Sequence, residues 1–196
     1  YAKWEPKNVH YTVVYLKEKY DNATGKTSFE YDSSLSQTGK TGATVSASNA
    51  PNITTSTTGY ERDTAQNATS ETTIAADGSS ILKVYYKLIR YTFVFDANGP
   101  VYGVYGGVIP GSRNHGKITI NGYEYVNKTY TIDNVVLGQD ISTTWPSGTQ
   151  VSQVSSDDWW GRHSFYGWLP IKNNPTVGNN PYATKQFEVT ADLVKT

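Results

Sequence analysis

The sequence predicts a mostly β fold (α+β, with little helix), arranged as two small tandem modules. Each is expected to be a mixed or antiparallel sheet carrying at most one short helix. Three observations lead there. Short runs of Val, Ile, Thr, Tyr and Phe are separated by Gly, Asn, Asp and Ser, the pattern of strands bounded by turns. Helical periodicity is scarce. The chain also echoes itself: Tyr11-Thr12-Val13-Val14-Tyr15 returns as Tyr91-Thr92-Phe93-Val94-Phe95, and such self-similarity marks repeated units.

Taken in order, Tyr1 to Val9, with Tyr1-Ala2-Lys3-Trp4-Glu5-Pro6 at its head, reads as the end of a preceding repeat and a linker. His10 to Leu16 is the first strand. Ala43 to Ala47, just after Gly42, is expected as a short helix. Ser46 to Glu71 holds few apolar residues and is expected to be a long exposed loop, or an edge segment covering an unpaired strand. Ile81 to Ile89 is a strand that runs almost directly into Tyr91 to Phe95. Further strands are expected at Lys117 to Ile120, Tyr123 to Val126, Tyr130 to Val136 and Phe187 to Val194. Asn121-Gly122 joins two of them as a hairpin turn, because both residues tolerate positive φ. Asp140 to Trp145, following Gly138, is the second candidate helix.

The echo extends further. Gly42-Ala43-Thr44-Val45-Ser46 aligns with Gly138-Gln139-Asp140-Ile141-Ser142, Gly59-Tyr60 with Tyr166-Gly167-Trp168, and Ile81 to Tyr86 with Phe187 to Val194. This places a boundary near Arg90. The modules are therefore 10–90 and 91–196, the second enlarged by an insertion from Gly99 to about Val136 that contains its own hairpin, and by an aromatic loop.

Composition narrows the function classes. Aromatic residues make up 13% of the chain, 16 of them Tyr, too many for a disordered segment. Seventeen basic residues balance 17 acidic ones, without the basic stripe of a nucleic-acid binder. No run approaches the roughly 18 apolar residues that span a bilayer, so no membrane insertion is expected in this fragment. Cys is absent, which removes disulfides, thiolate nucleophiles and CxxC zinc sites. Met is absent too, position 1 included, and the sequence is read as an internal piece of a longer chain.

Motifs for chemistry are equally sparse. His10, His115 and His163 are far apart, and no GxSxG supplies a nucleophile for a triad. The glycines from Gly103 to Gly111 form no phosphate-binding motif, and strands rather than a helix N-terminus follow them. Asp157-Asp158 with His163 could be read as metal ligands, but adjacent side chains diverge on a strand and the calcium-loop spacing is missing. An intramolecular Lys–Asn isopeptide bond would need an Asn in a closing strand, and neither half offers an obvious one. Asn22, Asn52, Asn67 and Asn127 head N-x-Thr triplets, expected by chance in so Thr-rich a chain. We expect no enzyme activity, no cofactor and no metal.

Recognition is the better use of these aromatics. Trp159, Trp160, Arg162 and His163 form a dense polar-aromatic cluster, whose rings could stack on sugars or anchor a protein partner. Tyr102, Tyr105 and Tyr123, with Tyr125, lie among Gly and Asn, the composition of adaptable binding loops. Trp145, Phe165 and Trp168 are assigned to the core. A purely structural spacer would instead bury all of these rings.

Tyr11 to Tyr15, Gly39 to Ser46, Ile74-Ala75-Ala76-Asp77-Gly78-Ser79, Leu82 to Lys87 and Tyr91 to Gly99 together resemble the internalin B-repeat-type units strung along Gram-positive cell-surface proteins. Leu137 to Ile141, Trp145-Pro146 and Phe165-Tyr166-Gly167-Trp168 resemble a related unit. The stretch from Gly99 to Arg113 departs from that pattern. The resemblance implies two tandem β-grasp-like modules in a secreted, wall-anchored bacterial protein. Its partners would be neighbouring repeats of the same chain and a host protein or glycoprotein, immunoglobulin and mucin among them. It implies adhesion, glycan binding or a stalk, without choosing among them.

Overall fold

The computed structural model describes residues 5–97, 116–126, 128–153, 168 and 188–194, and the fold is mostly β. The chain divides into two compact units, one drawn mainly from Tyr1–Ile89 and the other from Arg90–Val135 and Asp140–Val189. Val136–Gln139 and Thr190–Lys195 group with the first unit.

The first unit begins with a long hairpin, β1 (Asn8–Asp21) and β2 (Lys26–Lys40). Its turn is closed by Gly25 N–H on Asp21 C=O, with Gly25 at a φ of +68°. Then come β3 (Thr44–Ser46), a 3₁₀ turn (Ala47–Asn49), β4 (Tyr60–Arg62), α1 (Thr64–Thr69), β5 (Glu71–Thr73) and β6 (Ile81–Leu88). The sheet order is β2-β1-β6-β4. The outer pairs are antiparallel, and the central pair, β1 with β6, is parallel. β3 and β5 form a separate small ladder.

Period-two alternation sets the core. Tyr11, Val13 and Tyr15 on β1 and Leu82, Val84 and Tyr86 on β6 are buried, as successive strand side chains must alternate between faces. Ala47, Ile53 and Ile74 cover them from the segment between β2 and β6. A Cβ at Gly39 of β2 would meet the Ile74 terminal methyl, so a larger residue there would have to displace that side chain.

α1 completes the sheet where a strand runs out. β4 pairs through Tyr60 to Arg62 against Leu88 to Tyr86, and beyond it Asp63 N–H still reaches Tyr85 C=O at 3.0 Å, where the strand ends. Asn67, 1% exposed, continues the pairing: its Oδ1 accepts from Tyr85 N–H at 2.8 Å and its Nδ2 adds a second bond to Tyr85 C=O at 2.9 Å. Ser70 Oγ donates to Lys83 C=O. Asp63 caps α1, its carboxylate accepting from the Ala65 and Gln66 amides, the ordinary N-cap arrangement.

The second unit contains β7 (Tyr91–Phe95), β8 (Gly116–Ile120), β9 (Tyr123–Val126), β10 (Tyr130–Val135) and β11 (Val151–Gln153). β7 pairs antiparallel with β10, and β8 lies between β9 and β11. Asn134, at a φ of +57°, sits where the β10 register shifts. Phe95 makes ring contacts with Tyr130, Trp145 and Trp168 at centroid distances of 5.9, 4.9 and 5.0 Å. Trp168 Nε1 donates to Pro146 C=O. Trp145 and Trp168 thus belong to the packing, as their assignment to the core anticipated; Phe165 lies outside the described residues.

Three local expectations are corrected. Ala43 to Ala47 is not a helix: Thr44, Val45 and Ser46 pair with Thr73, Thr72 and Glu71, and β-branched Thr and Val favour that ladder. Asp140 to Trp145 makes one closed turn, with Thr144 and Trp145 amides on Ile141 C=O, and goes no further. In Phe187 to Val194, Glu188 makes an isolated bridge to Asp140, and Ala191–Val194 is a helical turn (α2), not a strand. Leu193 N–H there closes on Thr190 C=O instead of a ladder partner.

Asn67→Ala removes the acceptor of Tyr85 N–H and one of two donors to Tyr85 C=O, which keeps its bond from Asp63 N–H at 3.0 Å. An unsatisfied buried group costs about 1–3 kcal/mol, so the variant is expected to lose roughly 1–3 kcal/mol in a urea titration of the full chain. Asn67→Asp keeps the acceptor for Tyr85 N–H but turns a carboxylate oxygen onto Tyr85 C=O in a buried site, so at pH 7 it should lose at least as much as Asn67→Ala.

Candidate functional site

Of the seven residues expected to bind a partner, Tyr123 is described; Tyr102, Tyr105, Trp159, Trp160, Arg162 and His163 lie outside the described residues. Tyr123 opens β9 at the tip of the β8–β9 hairpin. The register pairs Ile120 with Tyr123 around Asn121 and Gly122, whose φ values of +50° and +82° are those of a two-residue primed turn. This turn fixes the strand register and presents Tyr123 at 74% exposure. Its neighbour Tyr125 behaves differently. That ring packs edge-on against Tyr130 at 5.3 Å and so joins the aromatic core. Lys117 Nζ and Glu124 Oε1, 2.6 Å apart, tie the two strands across the outer face.

A second cluster, in the first unit, escaped the sequence reading. Between Tyr15 and Leu16 the β1–β2 register slips: Tyr15 faces Ser33, Leu16 faces Tyr31, and Asp32 is the extra residue of a bulge. Bulges re-aim side chains, and here the Asp32 carboxylate meets Lys17 of β1 at 2.7 Å. Lys17 Nζ also donates to Thr55 Oγ1 at 3.0 Å and Ser56 C=O at 2.9 Å, and lies 5.2 Å from the centre of the Tyr60 ring. Thr55 Oγ1 donates in turn to Asp32 at 2.9 Å. One signal was present in the sequence: Lys17 continues the odd-numbered series Tyr11, Val13, Tyr15, and a cation in phase with a core face needs a partner.

The electrostatics identify what this cluster does. Partial burial works to raise the Asp32 pKa, but hydrogen bonds from Lys17, Ser33 and Thr55 and the Lys17 charge hold it below the usual carboxylate range. Burial, followed by the charges of Asp32, Glu18 and Glu30, pushes the Tyr60 phenol up. Condensation of Lys17 with Asp32 to an amide, releasing water, would require a neutral amine and a protonated acid. The hydrogen bonds that hold Asp32 ionised disfavour the protonated acid, and the contact fastens the Thr55–Ser56 loop to the sheet as an ion pair.

Among the described residues no group of three or more His, Asp or Glu side chains is arranged to hold a metal, and no helix is long and apolar enough to cross a membrane. Asn67 is also ruled out as a glycan acceptor in the folded chain, because its amide is buried and engaged at both atoms.

The lowered Asp32 pKa fixes a pH dependence. Its contribution to stability is complete above the unfolded carboxylate range, about pH 4, and is lost as pH falls through the folded value. Asp32→Asn should therefore melt below the parent protein at pH 7 by about 4–8 °C, the shift that goes with ~1 kcal/mol in a unit of this size. Calorimetry at successively lower pH should find the gap narrowing as Asp32 becomes protonated.

No family model, no curated protein and no solved structure matches the chain.

Proposed function

We propose that this chain is a non-enzymatic segment of a secreted, wall-anchored Gram-positive surface protein, and that it binds a host protein or glycoprotein. Support for a β-grasp-like first module comes from its sheet order, β2-β1-β6-β4, with a parallel central pair flanked by antiparallel edges. The resemblance to internalin B-repeat-type units implies a mixed or antiparallel sheet with at most one short helix, and the second unit is read as a related, enlarged module. Immunoglobulin and mucin are the candidate partners.

The observation that carries the binding reading is the hairpin tip. A Tyr ring loses little conformational entropy on contact and offers both an apolar face and a hydroxyl. Placed at 74% exposure on a two-residue turn, it is pre-organised for a partner at the cost of apolar surface in water. A ring needed only for packing would lie as Tyr125 does, against Tyr130.

The test is binding of the immobilised chain to purified immunoglobulin G and to mucin, each before and after enzymatic deglycosylation. Saturable binding that survives deglycosylation and weakens about fivefold or more in Tyr123→Ala, the loss of a contact worth over 1 kcal/mol, is the expected result. Binding lost on deglycosylation would move the assignment to a glycan receptor. No binding to either, with the fold verified by circular dichroism, would leave the chain as a stalk.

A further inference from the structure

The first unit joins its entry and exit strands in one particular way. The chain enters the four-stranded sheet at Asn8 on β1 and leaves it at Leu88 on β6. These two strands are direct neighbours and run parallel, paired from Thr12 with Ile81 to Lys17 with Tyr86. The entry end of β1 and the exit end of β6 therefore lie at opposite ends of one ladder. Tension along the chain drags the two strands past each other along their own axes. Every bond of the ladder is then strained together, whereas an antiparallel pair would be peeled open from one end, bond by bond.

Both ends of this ladder carry an additional bond. At the start, Thr12 N–H donates to Ser80 C=O at 2.9 Å. At the exit, beyond the last strand pair, Leu88 N–H donates to Glu18 Oε2 at 2.8 Å, where the carboxylate is only 7% exposed. A carboxylate–amide bond is stronger than a neutral one, and its burial shields it from competing water. Val13, Tyr15, Leu82, Val84 and Tyr86 bury the same ladder to 4% exposure or less. β2 and β4 hold the outer edges of the pair. We infer that the first unit is a shear clamp: a module that resists stretching of the chain through the β1–β6 ladder and its Glu18–Leu88 lock. This role is separate from any ligand and stands or falls without the binding proposal.

The chain has no Cys, so single-molecule handles can be placed at chosen exposed positions of the full chain. Lys7→Cys with Arg90→Cys pulls in shear. Lys7→Cys with Ser79→Cys pulls the same two strands from the same end. At equal loading rate the shear pair should rupture at several-fold higher force, in one step that releases roughly 24 nm, the extended chain at 3.3–3.6 Å per residue less the ~4 nm its ends already span along the folded ladder. Glu18→Ala, losing a bond to a charged group, should shorten the shear lifetime at constant force about tenfold and leave the end-on rupture force unchanged. Equal forces in the two directions would overturn the clamp, as would a shear rupture indifferent to Glu18→Ala. Should that variant fail to fold, the comparison of pulling directions decides alone.

Discussion

The parallel pairing of Thr12–Lys17 with Ile81–Tyr86 is the constraint on which the first unit depends. Two parallel strands cannot be joined by a tight turn, and the chain between them must cross over the sheet. Here that crossover is polar, rich in Ser, Thr and Asn, yet it has to cover an apolar face. It does so with three buried apolar residues, Ala47, Ile53 and Ile74, and with hydrogen bonds reaching up from the sheet. Tyr15 Oη donates to Pro51 C=O, and Ile53 N–H donates to Tyr86 Oη. Tyrosine suits this position because its ring fills the core while its hydroxyl fixes the backbone above. The chain's Tyr content thus has a structural cause in the first unit.

The same economy governs its buried polar groups. Arg62 donates to the carbonyls of Ala47 and Ala50 and to Asn52 Oδ1, holding the 3₁₀ turn and the loop after it; its buried Nε has no partner among the described residues. Asn67 stands in for a missing strand, Asp63 caps α1, Glu18 meets the Leu88 amide and Lys17 fastens the Thr55–Ser56 loop. A side chain committed in this way to buried backbone is not available as a general acid or base, since using it would leave that backbone unpaired. Along the β1–β6 axis, polarity serves the fold.

How much of this was legible depended on the strength of each local signal. β1, β6, β7 and β10 were readable because β-branched and aromatic residues accumulate in them, and the β8–β9 turn because Asn121-Gly122 has few conformations to choose from. β2 was not. Its fifteen residues carry Ser and Thr on both faces, and what holds it is pairing with β1 along fourteen residue pairs, which no local window contains. The Asp32 bulge is hidden for the same reason: a register slip belongs to two strands. The sequence echo also overreached at its end. Ile81 to Tyr86 owes its strand to the neighbours β1 and β4, and the segment matched to it ends in the helical turn Ala191–Val194. Of the candidate site, Tyr123 was found through the turn that precedes it, whereas the Lys17 cluster showed only as a charge in phase with the core face.

Tyrosines 15, 86, 125 and 123 show why composition could not sort structural rings from recognition rings. All four sit in strands with similar flanking residues. Tyr15 and Tyr86 are buried, and their hydroxyls hold the crossover; Tyr125 is turned onto Tyr130. Tyr123 differs by two positions from Tyr125, and that even spacing would place both on one face. What separates them is distance from the turn. Tyr125 is far enough into the hairpin to find a ring on β10, and Tyr123 closes the two-residue turn beside Ile120, with the rim of the hairpin on one side and water on the other. Position relative to a turn, more than residue type, therefore decides which ring remains available to a partner.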